Sequence, residues 1–227
     1  KGWHWGVDNI FGKRSHLIRR REGMAEKRLD MTNKGFTLVE LLVGMAIFSI
    51  LSIAIIQQFT TGSRISTEQS AATRAQQSLR TARIMMAQDI RLAGLDPIRS
   101  FRFGFEEASS TKFRVTADIN RNGDVDAFDF ERITYNIRPG TRDLIKTFYE
   151  GTGAADTGTL VDRIDPAASG FAYLDEAGNN LGDPVPAANL EDIRVVVINL
   201  AVEELAGRVG TVTRNSGGRV MCRNLGI

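Results

Sequence analysis

An apolar segment between Phe36 and Phe59 constrains this chain more than any other feature. It reads FTLVELLVGMAIFSILSIAIIQQF, and Glu40 is its only charged residue. At about 1.5 Å per residue, a helix of this length reaches roughly 36 Å, enough to cross a hydrocarbon core of about 30 Å with some tilt. It is too long for the apolar region of a cleaved secretory signal peptide. We therefore predict a membrane-spanning helix over residues 36–59.

The charges on either side of this segment are unequal. Residues 1–35 carry nine Lys/Arg against four Asp/Glu, whereas residues 36–227 carry twenty against twenty-three. A basic segment next to an apolar one indicates membrane topology rather than nucleic-acid binding. Glu40 needs a separate explanation, because a carboxylate inside a membrane helix costs about 2.5–3.5 kcal/mol. We expect Glu40 to have a partner and a function.

The residues around Glu40 carry a specific resemblance. Residues 34–43, KGFTLVELLV, resemble the signal of type IV prepilins and type II secretion pseudopilins. The resemblance implies that a prepilin peptidase cuts after Gly35, where the missing Cβ lets a protease approach the backbone, and that Phe36 is then N-methylated. It also implies that the carboxylate of Glu40 pairs with the N-terminal ammonium of a neighbouring subunit. Residues 1–35 would comprise an upstream segment and a leader. Translation of the leader would begin at Met24 or Met31.

The sequence predicts that the helix continues beyond the membrane as an amphipathic half over residues 60–94. Small or apolar residues recur at steps of three and four, and arginine and glutamine fill the other faces. Gly94 and Pro97 follow as a helix stop. The predicted apolar stripe comprises Ile65, Ala72, Ala75, Leu79, Ala82, Met86, Ile90 and Ala93.

Residues 95–227 show the pattern of short strands separated by Gly, Asn, Asp and Pro. We predict an α+β fold in which the long helix packs on an antiparallel β-sheet domain. The predicted loops are 151–158 and 178–186. The predicted strands are 101–105, 112–117, 132–137, 144–148, 170–174, 193–202 and 220–223.

A calcium-loop pattern lies between two of these predicted strands. In DINRNGDVDAFD, residues 118–129, oxygen-bearing side chains alternate and Gly123 stands where such loops turn. Candidate ligands are Asp118, Asn120, Asn122, Asp124 through its main-chain carbonyl, and Asp129, with Glu131 as a substitute. Such hard oxygen ligands suit Ca²⁺ and not zinc. The alternative is an Asx-rich turn at the tip of a β-hairpin that needs no metal.

An enzymatic function is not expected. After cleavage the chain would contain no histidine, and Cys222, the only cysteine, resembles a small buried hydrophobic residue more than a nucleophile. No phosphate loop or dinucleotide-binding motif is present. We expect no required cofactor, with calcium as a candidate ligand, and no nucleic-acid partner, because the net charge of residues 36–227 is negative.

The order of segments in the domain is similar to that of PilW-type minor pilins. The segments are DIRLAGLDP, the DINRNGD loop, ERITYNI, FAYLDEAGN and a terminal RNLG. The resemblance implies a structural subunit of the inner membrane that helps to initiate a type IV pilus and then joins the filament. Its partners would be other pilins, the prepilin peptidase and the inner-membrane assembly platform. A type II secretion pseudopilin is the main alternative, and a pilus-borne adhesin or DNA-uptake subunit is a less favoured one.

Overall fold

The computed structural model describes residues 35–126, 129–207 and 210–225. The predicted leader and the two candidate start sites at Met24 and Met31 lie outside the described residues. The chain divides into two compact units, one ending at Ile50 and one comprising Leu51–Ile227. One helix, α1 (Leu38–Leu92), contains 55 residues and confirms the predicted long helix.

The first part of α1 buries no side chain within the protein. Its most apolar stretch of 18 residues has a mean hydropathy of 2.5, and none of that stretch is buried. Leu41, Leu42 and Phe48 are 60%, 59% and 71% exposed. Apolar side chains exposed on all faces of a helix are typical of a helix that meets lipid or other apolar helices. By length and composition, this helix can cross a membrane.

The end of α1 is closed by the C-terminal segment. Gly94 has φ +76° and donates its N–H to the carbonyl of Thr116 at 3.0 Å. The side-chain amide of Asn224 donates to the carbonyl oxygens of Arg91 at 3.0 Å and Leu92 at 3.4 Å. These carbonyls have no partner within the helix, so Asn224 acts as a C-terminal cap. A Cβ at position 94 would lie 2.5 Å from Leu225, so glycine also admits that side chain.

The strands form two antiparallel sheets. The first sheet has five strands in the order β1-β2-β3-β4-β5, and the second has three in the order β6-β7-β8. The second sheet follows the first in the chain, and the N–H of Phe171 donates to the carbonyl of Ser110 at 2.8 Å to join them. The strands are β1 (Phe105–Ala108), β2 (Lys112–Thr116), β3 (Arg132–Arg138), β4 (Asp143–Phe148), β5 (Asp156–Asp162), β6 (Gly170–Leu174), β7 (Val195–Leu205) and β8 (Thr211–Met221).

Five predicted strands, 112–117, 132–137, 144–148, 170–174 and 193–202, are confirmed as β2, β3, β4, β6 and β7, although β7 begins at Val195 and continues to Leu205. The predicted strand 101–105 is wrong, because Asp96 accepts the N–H of Phe101 at 2.6 Å and holds that residue in a loop with φ +59°. The predicted loop 151–158 is wrong for its last residues, because β5 begins at Asp156. β8 was predicted only at 220–223. It pairs with all eleven residues of β7, and this pairing overrides the Asn, Ser and Gly residues that disfavour strands.

The core joins a narrow stripe of α1 to the inner faces of both sheets. On the helix, Ala75, Ala82 and Ala93 are fully buried, as are the larger Met86 and Ile90, and Leu79 is 1% exposed. These residues confirm most of the predicted stripe, but Ile65 is 49% exposed and Ala71 is buried in place of Ala72. The small side chains let the sheets approach the helix backbone closely. The sheet side supplies Phe113, Tyr135, Ile137, Leu144, Ile198 and Leu200.

One partly buried polar cluster lies at the edge of this apolar core. Asp89 on α1 accepts the hydroxyl of Tyr135 at 2.5 Å and pairs with the ammonium of Lys146 at 2.7 Å. Burial, followed by the nearby charge of Asp89, raises the pKa of Tyr135, so its hydroxyl stays protonated and donates. A partly buried carboxylate that has both a hydrogen bond and a cation is satisfied, and removing either partner would leave an unpaired group.

We predict that Leu79→Ala lowers the free energy of unfolding by about 2–5 kcal/mol, because it removes a buried side chain and leaves a cavity. The measurement is urea unfolding of residues 60–227. Ile84→Ala on the same helix is the matched control, since Ile84 is 46% exposed, and it should cost less than about 1 kcal/mol. Equal losses in the two variants would contradict the packing described here.

Candidate functional site

The first site lies at the start of α1, where Thr37 and Glu40 bond to each other. The N–H of Thr37 donates to Oε2 of Glu40 at 2.9 Å, and the Thr37 hydroxyl donates to the same oxygen at 3.0 Å. The N–H of Glu40 donates to the Thr37 hydroxyl oxygen at 3.2 Å. This reciprocal arrangement is a capping box, which satisfies N–H groups that have no partner in the first helical turn.

The capping box uses only half of the Glu40 carboxylate. Oε1 accepts no hydrogen bond from any residue within 35–126, 129–207 or 210–225. It is therefore available to a donor from another molecule. The Thr-x-x-Glu spacing was readable in the sequence as a helix start and was missed there, because the apolar run and the cleavage pattern accounted for the same residues.

The surroundings of Glu40 are apolar and open. Phe36, Glu40, Gly44 and Phe48 recur every four residues and lie along one face of the helix, where they line a shallow groove together with Leu41 and Met45. Apart from its chain neighbours and the backbone of its own helix, nothing lies within 4 Å of the position that a Cβ would take at Gly44. Small residues at such positions let a second helix approach closely in an apolar medium. Phe36 is 88% exposed, so the predicted cleavage point beside it is accessible.

The second site is the loop between β2 and β3, which confirms the predicted hairpin position. The oxygens of Asp118 accept the N–H groups of Asn122 at 3.1 Å and Gly123 at 3.2 Å. The side-chain oxygen of Asn120 accepts the N–H of Asn122, and that of Asn122 accepts the N–H of Asp124, each at 2.9 Å. Gly123 has φ +82° at the turn. The loop is thus curled around its alternate oxygen-bearing side chains.

The carboxylates of this loop differ in their surroundings. Asp118 is fully buried and Glu131 is 1% exposed, and Glu131 accepts the N–H groups of Ile119, Asn120 and Asp126 at 2.8–3.2 Å. Asp124 points elsewhere, because its carboxylate pairs with Arg102 at 2.5 Å. The main-chain role of Asp124 stays a prediction.

The centre of the loop brings together two further carboxylates. The amide nitrogen of Asn120 donates to Oδ2 of Asp126 at 2.9 Å and to Oδ2 of Asp129 at 2.7 Å, and the amide of Asn122 also donates to Asp126. The candidate ligand set omitted Asp126, which lies beside Asn120 and Asn122. In the part of the chain that the structure describes, no three His, Cys, Asp or Glu side chains are grouped so as to hold a metal ion. Calcium binding stays a prediction.

Cys222 is buried, as predicted, at 9% exposure. Burial raises the pKa of its thiol to about 12 despite the opposing charge of Arg194. A thiol with this pKa stays protonated near neutral pH and is a poor nucleophile.

The fold and the first site define a class of protein. One apolar helix with a carboxylate in its first turn continues into an α+β domain of antiparallel sheets, which is the architecture of pilin-like proteins. Residues 30–56 match the prokaryotic N-terminal methylation motif. Neither a search of curated proteins nor a search of solved structures found a match. The chain carries a prepilin-type signal of the type IV pilin and pseudopilin kind, which implies processing by prepilin peptidase and assembly with other pilins.

We predict that the assembled protein begins at N-methylated Phe36. Mass spectrometry should then show a chain without tryptophan or histidine, because Trp3, Trp5, His4 and His16 all precede this position. A bulky residue in place of Gly35 should leave uncut precursor in the membrane, whereas Gly35→Ala should be milder, since it adds only a methyl group. Peptides containing Trp5 or His16 in the filament fraction would contradict this cleavage.

Proposed function

We propose that this protein is a minor type IV pilin that helps to initiate pilus assembly and becomes part of the filament. The observation that carries the proposal is the half-satisfied carboxylate of Glu40 in the first turn of α1, where the helix is apolar and exposed. A non-enzymatic subunit of this kind needs only surfaces that bind other subunits. The methylation motif supports the general class, and the PilW-like order of segments supports the particular role.

In the proposed assembly step, Oε1 of Glu40 accepts a hydrogen bond from the N-terminal ammonium of a neighbouring subunit. Either charge alone is costly in an apolar medium, so their pairing favours one axial register between two helices. The open face at Gly44 lies one turn further along, where the neighbouring helix can come close. In this proposal, the inner membrane holds the subunit by its apolar helix before that helix enters the filament.

We predict that Glu40→Leu inserts into the membrane at least as well as the wild type and enters filaments poorly. Glu40→Gln separates the two roles of the side chain, because glutamine keeps the capping box but loses the charge. If charge pairing drives assembly, both variants should fail to a similar extent. The measurement is the ratio of the protein in sheared filaments to that in membranes. Normal incorporation of Glu40→Gln would assign the role of Glu40 to the helix cap instead.

We propose in addition that the loop between β2 and β3 binds Ca²⁺. Asp118 and Glu131 are buried, and neither forms an ion pair with a cationic side chain among the described residues. Asp126 and Asp129 are held together only through the amide of Asn120. Buried carboxylates without a counter-ion are unfavourable, and a divalent cation would neutralise them with oxygen ligands of the kind calcium prefers.

For this proposal we expect calorimetry on residues 60–227 to show heat of Ca²⁺ binding at or below millimolar concentration. Calcium should also raise the melting temperature, since a ligand that binds only the folded state stabilises it. Asp129→Asn should weaken binding by roughly tenfold, because it removes one ligand charge. Asp156→Asn, an exposed carboxylate on β5, is the matched control. Absence of binding heat together with a melting temperature unchanged by EGTA would leave an Asx-rich turn.

A further inference from the structure

One edge of the second sheet is open, because β8 pairs only with β7 in the described part of the chain. The N–H of Cys222 donates to the carbonyl of Arg194 at 2.9 Å, and the same register continues without a shift along all of β8. Main-chain groups of an antiparallel strand point alternately to its two sides, so the even-numbered residues of β8 bond to β7. The odd-numbered residues, from Thr211 to Met221, direct their N–H and C=O groups to the open edge.

This edge lacks most of the features that protect strand edges in other proteins. β8 is eleven residues long, contains no proline or lysine and shows no register shift against β7. Its middle, residues 215–218, reads NSGG and has only short side chains. An edge of this kind is a template for strand addition, in which an extended segment pairs with it through main-chain hydrogen bonds.

Two arginines occupy carbonyl oxygens of this edge. Nη1 of Arg83 donates to the carbonyl of Gly217 at 3.2 Å, and Nη1 of Arg214 donates to the carbonyl of Thr213 at 2.9 Å. Arg83 reaches the edge from α1 across Gly218, where a Cβ would lie 3.5 Å from Cδ of Arg83. Each guanidinium satisfies its carbonyl and lies where an added strand would run. The two arginines therefore oppose the addition of a neutral strand.

No carboxylate neutralises this edge in the part of the chain that the structure describes. Arg83, Arg214 and Arg219 form no ion pair there. Residues 211–227 carry three arginines and no Asp or Glu. A carboxylate attracts a guanidinium more strongly than a neutral carbonyl does and accepts two parallel hydrogen bonds from it. A strand that carries carboxylates would thus draw the guanidinium groups away and free the carbonyls for main-chain pairing.

A second copy of β8 does not fit this edge. α1 and β8 run in the same direction, because the hydrogen bonds that join them, and those that join α1 to the segment after β8, advance together along both. Antiparallel pairing of two β8 strands would point the two α1 helices in opposite directions, although both chains enter the membrane in one orientation. Parallel pairing would place Arg214 and Arg219 beside their own copies, and like charges side by side are unfavourable.

We infer that the open edge of β8 binds an extended, carboxylate-bearing segment of another polypeptide by strand addition. The odd-numbered residues supply the main-chain pairing. Arg214 shares the face of the buried Val220, whereas Arg219 is exposed on the other face, so the added strand meets a guanidinium on each of its faces. The inference goes beyond the proposed role in pilus assembly, because it assigns a partner to the domain that need not be a subunit of the filament.

The test uses the full-length protein in detergent micelles and three labelled peptides rich in valine and threonine. The first carries two glutamates with the spacing of Arg214 and Arg219. The second has glutamine in place of both, and the third keeps the glutamates but has a central proline, which removes a main-chain donor. Fluorescence anisotropy should show that the first peptide binds roughly tenfold more tightly than either of the others. Hydrogen exchange at the odd-numbered N–H groups of β8 should slow only with the first peptide.

The double variant Arg83→Ala/Arg214→Ala tests the two arginines that occupy the edge. Without them the preference for glutamate over glutamine should fall from roughly tenfold to less than about threefold, because only Arg219 remains to attract carboxylates. Arg74→Ala/Arg80→Ala is the matched control. It makes the same change in net charge on exposed residues of α1, neither of which bonds to β8 in the described structure, and it should keep the preference.

The possible results separate strand addition from simple charge attraction. Equal binding of the proline peptide and the first peptide would show attraction without main-chain pairing and would overturn the inference. Absence of binding by the first peptide would overturn it too, as would a preference that survives in Arg83→Ala/Arg214→Ala or disappears equally in the control variant. No filament takes part in these measurements, so absence of the protein from filaments would contradict the proposed function and not this inference.

Discussion

The change of surroundings along α1 determines the rest of the structure. Between Phe36 and Phe59, large apolar side chains are exposed on every face of the helix. From Ala71 onward, the same helix is covered by protein only along a stripe in which alanine is half of the buried residues. Alanine on the stripe allows close approach of the sheets and leaves the remaining helical faces free. The domain therefore covers one side of the helix and leaves the other side to contact partners.

The partly buried cluster of Asp89, Tyr135 and Lys146 adds specificity to this packing. Because alanine side chains protrude little, a sheet could pack on a stripe rich in alanine in several axial positions at similar energy. A carboxylate that accepts one hydroxyl and one ammonium is satisfied in only one of these positions. We interpret the cluster as the device that fixes the first sheet along the helix, since a misplaced sheet would leave a charge buried without a partner.

Features that depend on local sequence were predictable. The helix, five strands, the hairpin loop at residues 118–131 and the burial of Cys222 follow from periodicity, turn residues and residue type. Features that depend on distant pairing were not. β8 contains Asn-Ser-Gly-Gly and becomes a strand only because β7 pairs with it over its whole length. The cap that Asn224 provides for α1 is equally invisible, because its acceptors lie more than a hundred residues away.

The candidate sites divide in the same way. Gly35, Phe36 and Glu40 are identified by one contiguous motif, and the loop oxygens by one alternating pattern, so the sequence sufficed to select them. The distribution of charge over the domain was not predictable, because the net charge sums residues that the fold separates. The net charge of residues 36–227 is negative, although residues 211–227 carry three arginines and no Asp or Glu. The distribution of charge in space, and not its sum, decides which partner a surface can bind.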